Sequence, residues 1–178
     1  MSDQKTPESI QPTDEAGGNP VEEFTGDRLQ LVTFDLGEES FAVDIHAVRE
    51  INRLIELTRV PNSPPEIVGV INLRGKIFPV VDLRNKFGFP ETAHDEHTRI
   101  IVLEFGGRET GFIVDRVHEV LRIDRGVLDP TPEVMSSVDA DFIEGIAKLE
   151  GRLLIVLDLE RLFGVLNLTE SDAAGEAA

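Results

Sequence analysis

The sequence predicts a mostly β protein built from two small barrels that share a hydrophobic seam. A cassette of 22 residues occurs twice, as IVGVINLRGKIFPVVDLRNKFG over Ile67–Gly88 and as IEGIAKLEGRLLIVLDLERLFG over Ile143–Gly164. Most other segments are short, rich in Val, Ile, Leu and Phe, and separated by turn residues, which is typical of strands. Each half holds about five such strands in roughly 65 residues. So small a sheet is best stabilised by closure, because closure removes its open edges.

The two halves also begin alike. Strands are predicted over Leu29–Leu36 and Phe41–Ile45 in the first half, and over Arg99–Phe105 and Gly111–Val114 in the second. Turns separate the members of each pair. Asp115 occupies the place that Asp44 holds in the first half, if two inserted residues are allowed. The duplication therefore extends beyond the cassette.

Each cassette predicts a β-hairpin followed by a short helix. In the first copy, Val68–Leu73 and Lys76–Val81 flank a tight turn that ends in glycine. Asp82 and Asp158 each precede a short amphipathic run, so they are predicted as helix N-caps rather than catalytic groups. Pro79 lies inside the return strand and has no N–H to donate, which predicts an edge strand or a bulge.

Composition divides the chain into one folded region and two tails. Residues 1–25 are acidic and polar, and residues 168–178 are similar, so both are predicted to be disordered. The folded domain is expected over 26–167. By the order of its segments, the first barrel would span about 28–92 and the second about 98–165.

The charge and the absence of certain segments limit the classes of function. The net charge of −17 disfavours binding to nucleic acid or to an anionic membrane surface. No apolar run approaches the ~20 residues that a membrane helix needs, so no membrane insertion is predicted. There is no cysteine, which excludes disulfides and thiolate metal sites. A cytoplasmic protein is expected.

The search for catalytic motifs returns little. No phosphate-binding loop, nucleophile elbow or zinc-protease helix is present. The densest set of potential metal ligands is His94–His97, in a polar linker between the halves, where a solvated loop is the favoured interpretation. No cofactor or metal is predicted. A cleft that binds a small ligand or a metal remains the alternative from another functional class.

The turn of the cassette hairpin differs between the copies. The first copy has Asn72 and Arg74 where the second has Lys148 and Glu150, so the charge is reversed while the fold is kept. Arg74 should be exposed at the tip of the turn. It is either an ordinary solvated arginine or an arginine presented to a partner, and the residues alone leave both open.

The stretch DIHAVREINRLIEL from Asp44 to Leu57 is a second candidate. Ile45, Val48 and Ile51 recur at near-helical spacing, which predicts a short helix. For Ile51 we favour packing on its own barrel. Ile45 and Val48 could instead line an exposed apolar groove between the halves, which would mark a partner site.

With these motifs in view, the sequence resembles the CheW family of bacterial chemotaxis adaptors. The resemblance covers about residues 28–165. It is carried by GVINLRGKIFPVVDLR, LVTFDLGEESFAVDIHAVREI and GFIVDRVHEVLRI. It implies two tandem SH3-like five-stranded β-barrels around a shared core, with a few short helices and no enzymatic activity. Family members act as scaffolds that couple chemoreceptors, the methyl-accepting chemotaxis proteins, to the histidine kinase CheA.

The resemblance also implies a binding site. The receptor's helical tip would dock in a groove between the barrels, and the regulatory domain of CheA would contact the barrel surfaces. Other copies of the adaptor could join the same array beneath the membrane. The predicted receptor- and kinase-binding residues are Val32, Ile45, Val48, Glu50, Gly69, Asn72, Arg74 and Val117.

Two alternatives remain within the resemblance. The same domain occurs in CheA kinases and in CheV proteins, but 178 residues leave no room for a kinase or receiver domain, so a free-standing adaptor is expected. The pathway served could also be chemosensory without being chemotactic.

Overall fold

The computed structural model describes residues 28–130 and 140–165. Both predicted tails, 1–25 and 168–178, fall outside the described residues. The strands are Arg28–Leu36 (β1), Glu39–Asp44 (β2), Val48–Arg53 (β3), Ile67–Leu73 (β4), Lys76–Asp82 (β5), Arg99–Phe105 (β6), Arg108–Val114 (β7), Arg116–Asp124 (β8), Leu128–Asp129 (β9), Ile143–Leu149 (β10) and Arg152–Leu157 (β11). The α-helices are Leu83–Lys86 (α1) and Leu159–Val165 (α2), and the 3-10 turns are Ile45–Ala47, Arg125–Val127 and Ala140–Phe142.

The strands form two sheets, and each sheet closes on itself. Barrel A has the order β8-β1-β2-β11-β10-β9, and barrel B has the order β3-β6-β7-β5-β4. In barrel A, β8 bends through a 3-10 turn into β9, which pairs with β10. In barrel B, Thr58 follows β3 and bridges to Val70 of β4, with N–O distances of 2.9 and 2.8 Å. The expected fold class of two small barrels is confirmed.

The strand pairing differs from the expected division into contiguous barrels over 28–92 and 98–165. Barrel A combines β1 and β2 with strands of the second half, and barrel B combines β6 and β7 with strands of the first half. Parallel pairing joins β2 to β11 and β5 to β7. The exchange begins at Ile45–Ala47, where a 3-10 turn capped by Asp44 leads the chain out of barrel A into β3. Neither half can therefore close a sheet without the other.

Three apolar clusters hold this arrangement together. One fills the interior of each barrel. The largest lies between the barrels, where the outer faces of β1, β2 and β11 meet those of β6 and β7 and both α-helices. Phe34, Phe41 and Phe87 stack in this seam with ring centroids 5.8 Å apart. Burying each phenylalanine contributes roughly 2–3 kcal/mol, so the seam joins the barrels into one cooperative unit.

The predicted hairpins and caps of the cassettes are confirmed. Asp82 accepts a hydrogen bond from the Arg84 N–H at 3.0 Å, and Asp158 accepts one from the Arg161 N–H at 3.1 Å. The two turns differ in backbone. Arg74 has φ 53° and Gly75 has φ 80°, whereas in the second copy only the glycine of the turn has a positive φ. A left-handed arginine is uncommon, so the first turn is the more constrained of the two.

Pro79 lies in β5, which is an interior strand between β7 and β4 and not an edge. Val70, opposite Pro79, bonds with both its N–H and its carbonyl to Thr58, so the Val70 and Pro79 pair exchanges no ladder bonds. The missing N–H of Pro79 therefore faces β7, whose pairing begins only at Val80. The ladder loses nothing, which is why the proline is tolerated.

The helix predicted from the spacing of Ile45, Val48 and Ile51 is wrong. Only Ile45–Ala47 is helical, as a single 3-10 turn, and Val48–Arg53 is an edge strand. Ile51 is 41% exposed rather than packed inside its barrel. Pairing with β6 over five positions decides the conformation, since tertiary pairing overrides a weak periodic signal.

Candidate functional site

The surface of the seam between β3 and β8, where the sequence predicts a partner groove and which is called the groove below, carries three of the predicted apolar residues. Val32 belongs to the seam and is only 3% exposed, so it supports the groove from below. Ile45, Val48 and Val117 are half-buried and pack against the same cluster. The structure thus brings these four predicted residues together, and three of them are within reach of a partner.

The two walls of the groove, β3 and β8, are equivalent strands. In barrel B, Val48 pairs with Leu103 and Ile51 pairs with Ile101. In barrel A, Val117 pairs with Phe34 and Val120 pairs with Val32, so each β3 residue has its counterpart on β8 69 positions later. Both strands carry a register shift at the same place. The equivalent of Val48 is Val117, and the equivalent of Ile51 is Val120, which is 50% exposed. Val120 is not among the residues predicted from the sequence, although aligning the first strands of the two halves at this offset would have found it.

Arg74 and Glu50 meet at the mouth of barrel B. Arg74 Nη2 lies 2.5 Å from Glu50 Oε2, and the side chains are 77% and 24% exposed. The hydrogen bond from Arg74 holds the pKa of Glu50 below its ordinary value. Asn72 fixes the turn, because its Oδ1 accepts the Gly75 N–H at 3.1 Å. Three predicted residues are therefore joined, with most of the Arg74 side chain still accessible.

Gly69 has a structural role. It is buried, and it lies at the register shift of β4. A Cβ at this position would lie 2.8 Å from the backbone oxygen of Thr58, the residue that closes barrel B. The equivalent Gly145 would place a Cβ 3.0 Å from Leu128, at the closure of barrel A. Barrel closure thus explains why both cassettes keep this glycine.

An ion pair clamps the start of β8. Arg84 of α1 donates from Nε and Nη2 to both carboxylate oxygens of Asp115, at 2.6 and 2.5 Å. The Gly37 N–H donates to the same carboxylate at 2.7 Å. Burial alone would raise the pKa of Asp115, but these hydrogen bonds outweigh it, and the pKa lies below its ordinary value. The clamp fixes the residue that leads directly into the β8 wall.

The β3 wall has no such clamp. The cassette alignment places Glu160 where the first copy has Arg84, and Asp44 stands where the second half has Asp115. Two carboxylates cannot pair, and Asp44 instead contacts His46, with Oδ1 and Nδ1 2.8 Å apart. The charge exchange at this position is a signal that the sequence analysis did not use. The two walls are therefore held by different contacts: β8 begins at the ion pair of Arg84 with Asp115, whereas on β3 Arg49 pairs with Glu104 of β6.

The metal-binding alternative gains no support. In the loop His94–His97, Asp95 accepts the His97 N–H at 2.7 Å and so shapes the loop itself. Within residues 28–130 and 140–165, no three His, Cys, Asp or Glu side chains are grouped to hold a metal ion. In the same ranges no helix combines the length and apolar character needed to cross a membrane.

Two interlocked barrels joined by a shared apolar seam define a double-barrel domain. A family model described as CheW-like domain matches residues 30–166. The chain is 38% identical over 149 residues to the chemotaxis protein CheW of Klebsiella aerogenes, covering 83% of this chain and 90% of that protein. It is 36% identical over 148 residues to that of Helicobacter pylori, covering 83% and 89%. The crystal structure of the scaffolding protein TtCheW from Thermoanaerobacter tengcongensis superposes with a TM-score of 0.71 at 40% identity, covering 79% of this chain and 91% of that one. The chain belongs to the CheW family of non-catalytic chemotaxis adaptors.

Proposed function

We propose that this chain couples chemoreceptors to the histidine kinase CheA by holding both on one rigid domain. The observation that supports this most is that Val48 and Val117, on equivalent strands, are half-buried and pack against the seam cluster, so both are accessible at its surface. The receptor's helical tip would lay an apolar face between these strands, a common way for a helix to bind a groove. The chain would work in the cytoplasm at the receptor array.

The rim beside the groove would add specificity. Arg74 is mostly exposed on a chain of net charge −17, and its Glu50 contact fixes the direction of the guanidinium. A planar guanidinium held in one direction favours recognition of a partner carboxylate or carbonyl. We assign Arg74, Glu50 and Asn72 to this rim, and Gly69 and Val32 to its support.

The regulatory domain of CheA would bind elsewhere on the barrels, since one domain must hold two partners at once. Each contact can be weak, because linked sites in an array raise the effective concentration of every partner. Other copies of this chain would join the array in the same way.

Binding to the two partners can be measured separately. A receptor cytoplasmic fragment templated on vesicles is sedimented with this chain, with and without CheA. We expect the chain to sediment with the receptor alone, and to carry CheA into the pellet. If it binds neither partner while a CheW protein known to bind the same preparation does, the proposed function is wrong for these partners.

A further inference from the structure

The outer face of β8 carries an apolar and cationic pair that the proposed function does not use. Val120 is 50% exposed, and Arg122, two residues further on the same face, is exposed as well. Among the residues that the structure describes, Arg122 has no ion-pair partner. The carboxylates of the same strand are already engaged: Glu119 contacts Arg152, and Asp124 accepts the Gly126 N–H.

The N-terminal tail contains a segment of matching chemistry. Residues 1–27 carry seven acids and one lysine, a net charge of −6. Within them, Val21–Phe24 reads Val-Glu-Glu-Phe, so two apolar side chains flank two carboxylates. An apolar residue beside an unpaired arginine is complementary to such a segment, because the apolar groups can pack while a carboxylate meets the guanidinium.

The tail joins the domain next to this face. Arg28, the first residue of β1, pairs with Asp124, and Val32 pairs with Val120. The face at Val120 thus lies four residues along the sheet from the point of attachment, about 13 Å away. Val21 is seven residues before Arg28, and seven residues of extended chain span up to about 25 Å. A chain that reverses direction can therefore place Val21 at Val120, and Glu22 and Glu23 then lie on the side of Arg122.

We propose that Val21–Phe24 docks back on the β8 face at Val120 and Arg122. The tether supplies an effective concentration in the range of about 1 mM, so a contact too weak to form between separate molecules would still be populated. The docked segment would cover the exposed end of one groove wall. It would thereby compete with any partner of the groove, a consequence that rests on the proposed function.

The β3 wall provides a control within the same molecule. Ile51 and Arg53 hold the positions equivalent to Val120 and Arg122, are exposed, and Arg53 also has no ion-pair partner among the described residues. However, β3 pairs with β6 and not with β1, so the tail does not emerge beside it. Docking set by the tether should select β8, whereas general charge attraction should affect both walls.

The test uses the full-length chain and no partner. Because the chain has no cysteine, a nitroxide placed on Asn19→Cys reports where the tail lies. We expect the label to broaden the amide signals of Val120–Arg122 more than those of Ile51–Arg53. Glu22→Lys with Glu23→Lys, or Arg122→Glu, should relieve the broadening. The matched changes Asp14→Lys with Glu15→Lys, and Arg53→Glu, should not.

Three results would overturn the proposal. They are equal broadening of both walls, relief by the Asp14 and Glu15 pair as large as that by the Glu22 and Glu23 pair, and broadening that disappears on dilution with unlabelled chain. The last would show contact between copies. Receptor affinity is measured separately: with the proposed function correct, the Glu22 and Glu23 changes should tighten it several-fold. If no variant binds the receptor, the proposed function is contradicted. The broadening of the amide signals still decides whether the tail contacts β8.

Discussion

Arg74 on the hairpin turn of barrel B contacts Glu50 on the groove wall β3, with Nη2 and Oε2 2.5 Å apart. In barrel A the equivalent glutamate, Glu119, contacts Arg152, which follows the turn instead of forming it. Both barrels therefore place a cation over an equivalent glutamate, but only barrel B takes it from the turn itself. Arg74 holds a left-handed backbone there, and such constrained positions are often retained for function.

Replacing Arg74 should separate its partner contact from its role in the fold. Arg74→Gly suits the observed φ of 53°, so it should leave the thermal midpoint nearly unchanged while weakening partner binding roughly tenfold. Arg74→Glu imitates the second copy but faces Glu50, so it should weaken binding at least as much. Affinity is measured by titration calorimetry and stability by thermal unfolding. A large loss of stability in Arg74→Gly with unchanged affinity would show that the residue is structural only.

Val48→Asp should abolish receptor binding while CheA still binds. It would place an unpaired carboxylate against the apolar base of the groove, which a docked helix would have to desolvate. Val127→Asp is the matched control, since Val127 is an exposed valine in the turn between β8 and β9. Both partners are tested by sedimentation. Equal loss of receptor and kinase by Val48→Asp would argue against a separate receptor groove.

Gly69→Ala should lower the free energy of unfolding by about 2 kcal/mol, because its Cβ would meet the Thr58 backbone oxygen at 2.8 Å and the β4 backbone must shift. Gly145→Ala is the comparison in the other barrel, where the nearest atom is a side-chain carbon of Leu128 at 3.0 Å, and its loss should be smaller. Urea unfolding measures both. An unchanged midpoint with lost partner binding would instead place Gly69 in an interface.

The clamp between Arg84 and Asp115 should contribute to stability in a pH-dependent way. The pKa of Asp115 is lowered from 3.8, so the ionised form is favoured in the fold. Its contribution is fully present above pH 3.8 and is lost as the pH falls further, through the folded pKa. Asp115→Asn should cost about 1–2 kcal/mol at pH 7, after allowing for partial solvent exposure.

The control for the clamp is Asp44→Asn, which changes the equivalent aspartate without removing an arginine pair. Urea unfolding is followed from pH 7 down to about pH 3, the range over which an ordinary aspartate becomes protonated. The difference between wild type and Asp115→Asn should narrow below pH 3.8, the ordinary value of the group. A difference that stays constant over the whole series would mean that the ionised carboxylate is not what the clamp stabilises.

Local features of the fold could be predicted from the sequence, and non-local ones could not. Asp82 was predicted as a cap because its partner is only two residues away. The exchange of strands between halves was missed, since a repeat identifies equivalent strands and says nothing about which copy each one pairs with. Ile51 was misplaced for a related reason. Its exposure depends on β3 being the edge of barrel B, which no local pattern records.

The candidate site shows the same contrast between local features, which the sequence indicates, and non-local contacts, which it does not. Val48 was a candidate from the residues themselves, Val117 came from the family resemblance, and the structure brings both to the seam. The contact of Arg74 with Glu50 joins residues 24 positions apart through barrel closure, and no spacing rule indicates it. Val120 and Arg84 were detectable in principle, because each stands out when the two copies are aligned and compared.

The central claim is that this chain couples receptor to kinase, and kinase activity tests it most directly. Phosphorylation of CheA is followed on vesicles carrying a receptor cytoplasmic fragment, with no adaptor, with this chain, and with its Val48→Asp variant. We expect the chain to raise kinase activity well above the receptor-only level and Val48→Asp not to do so. If kinase activity stays at the receptor-only level with this chain, in a preparation that another CheW protein stimulates, the chain does not couple receptor to kinase.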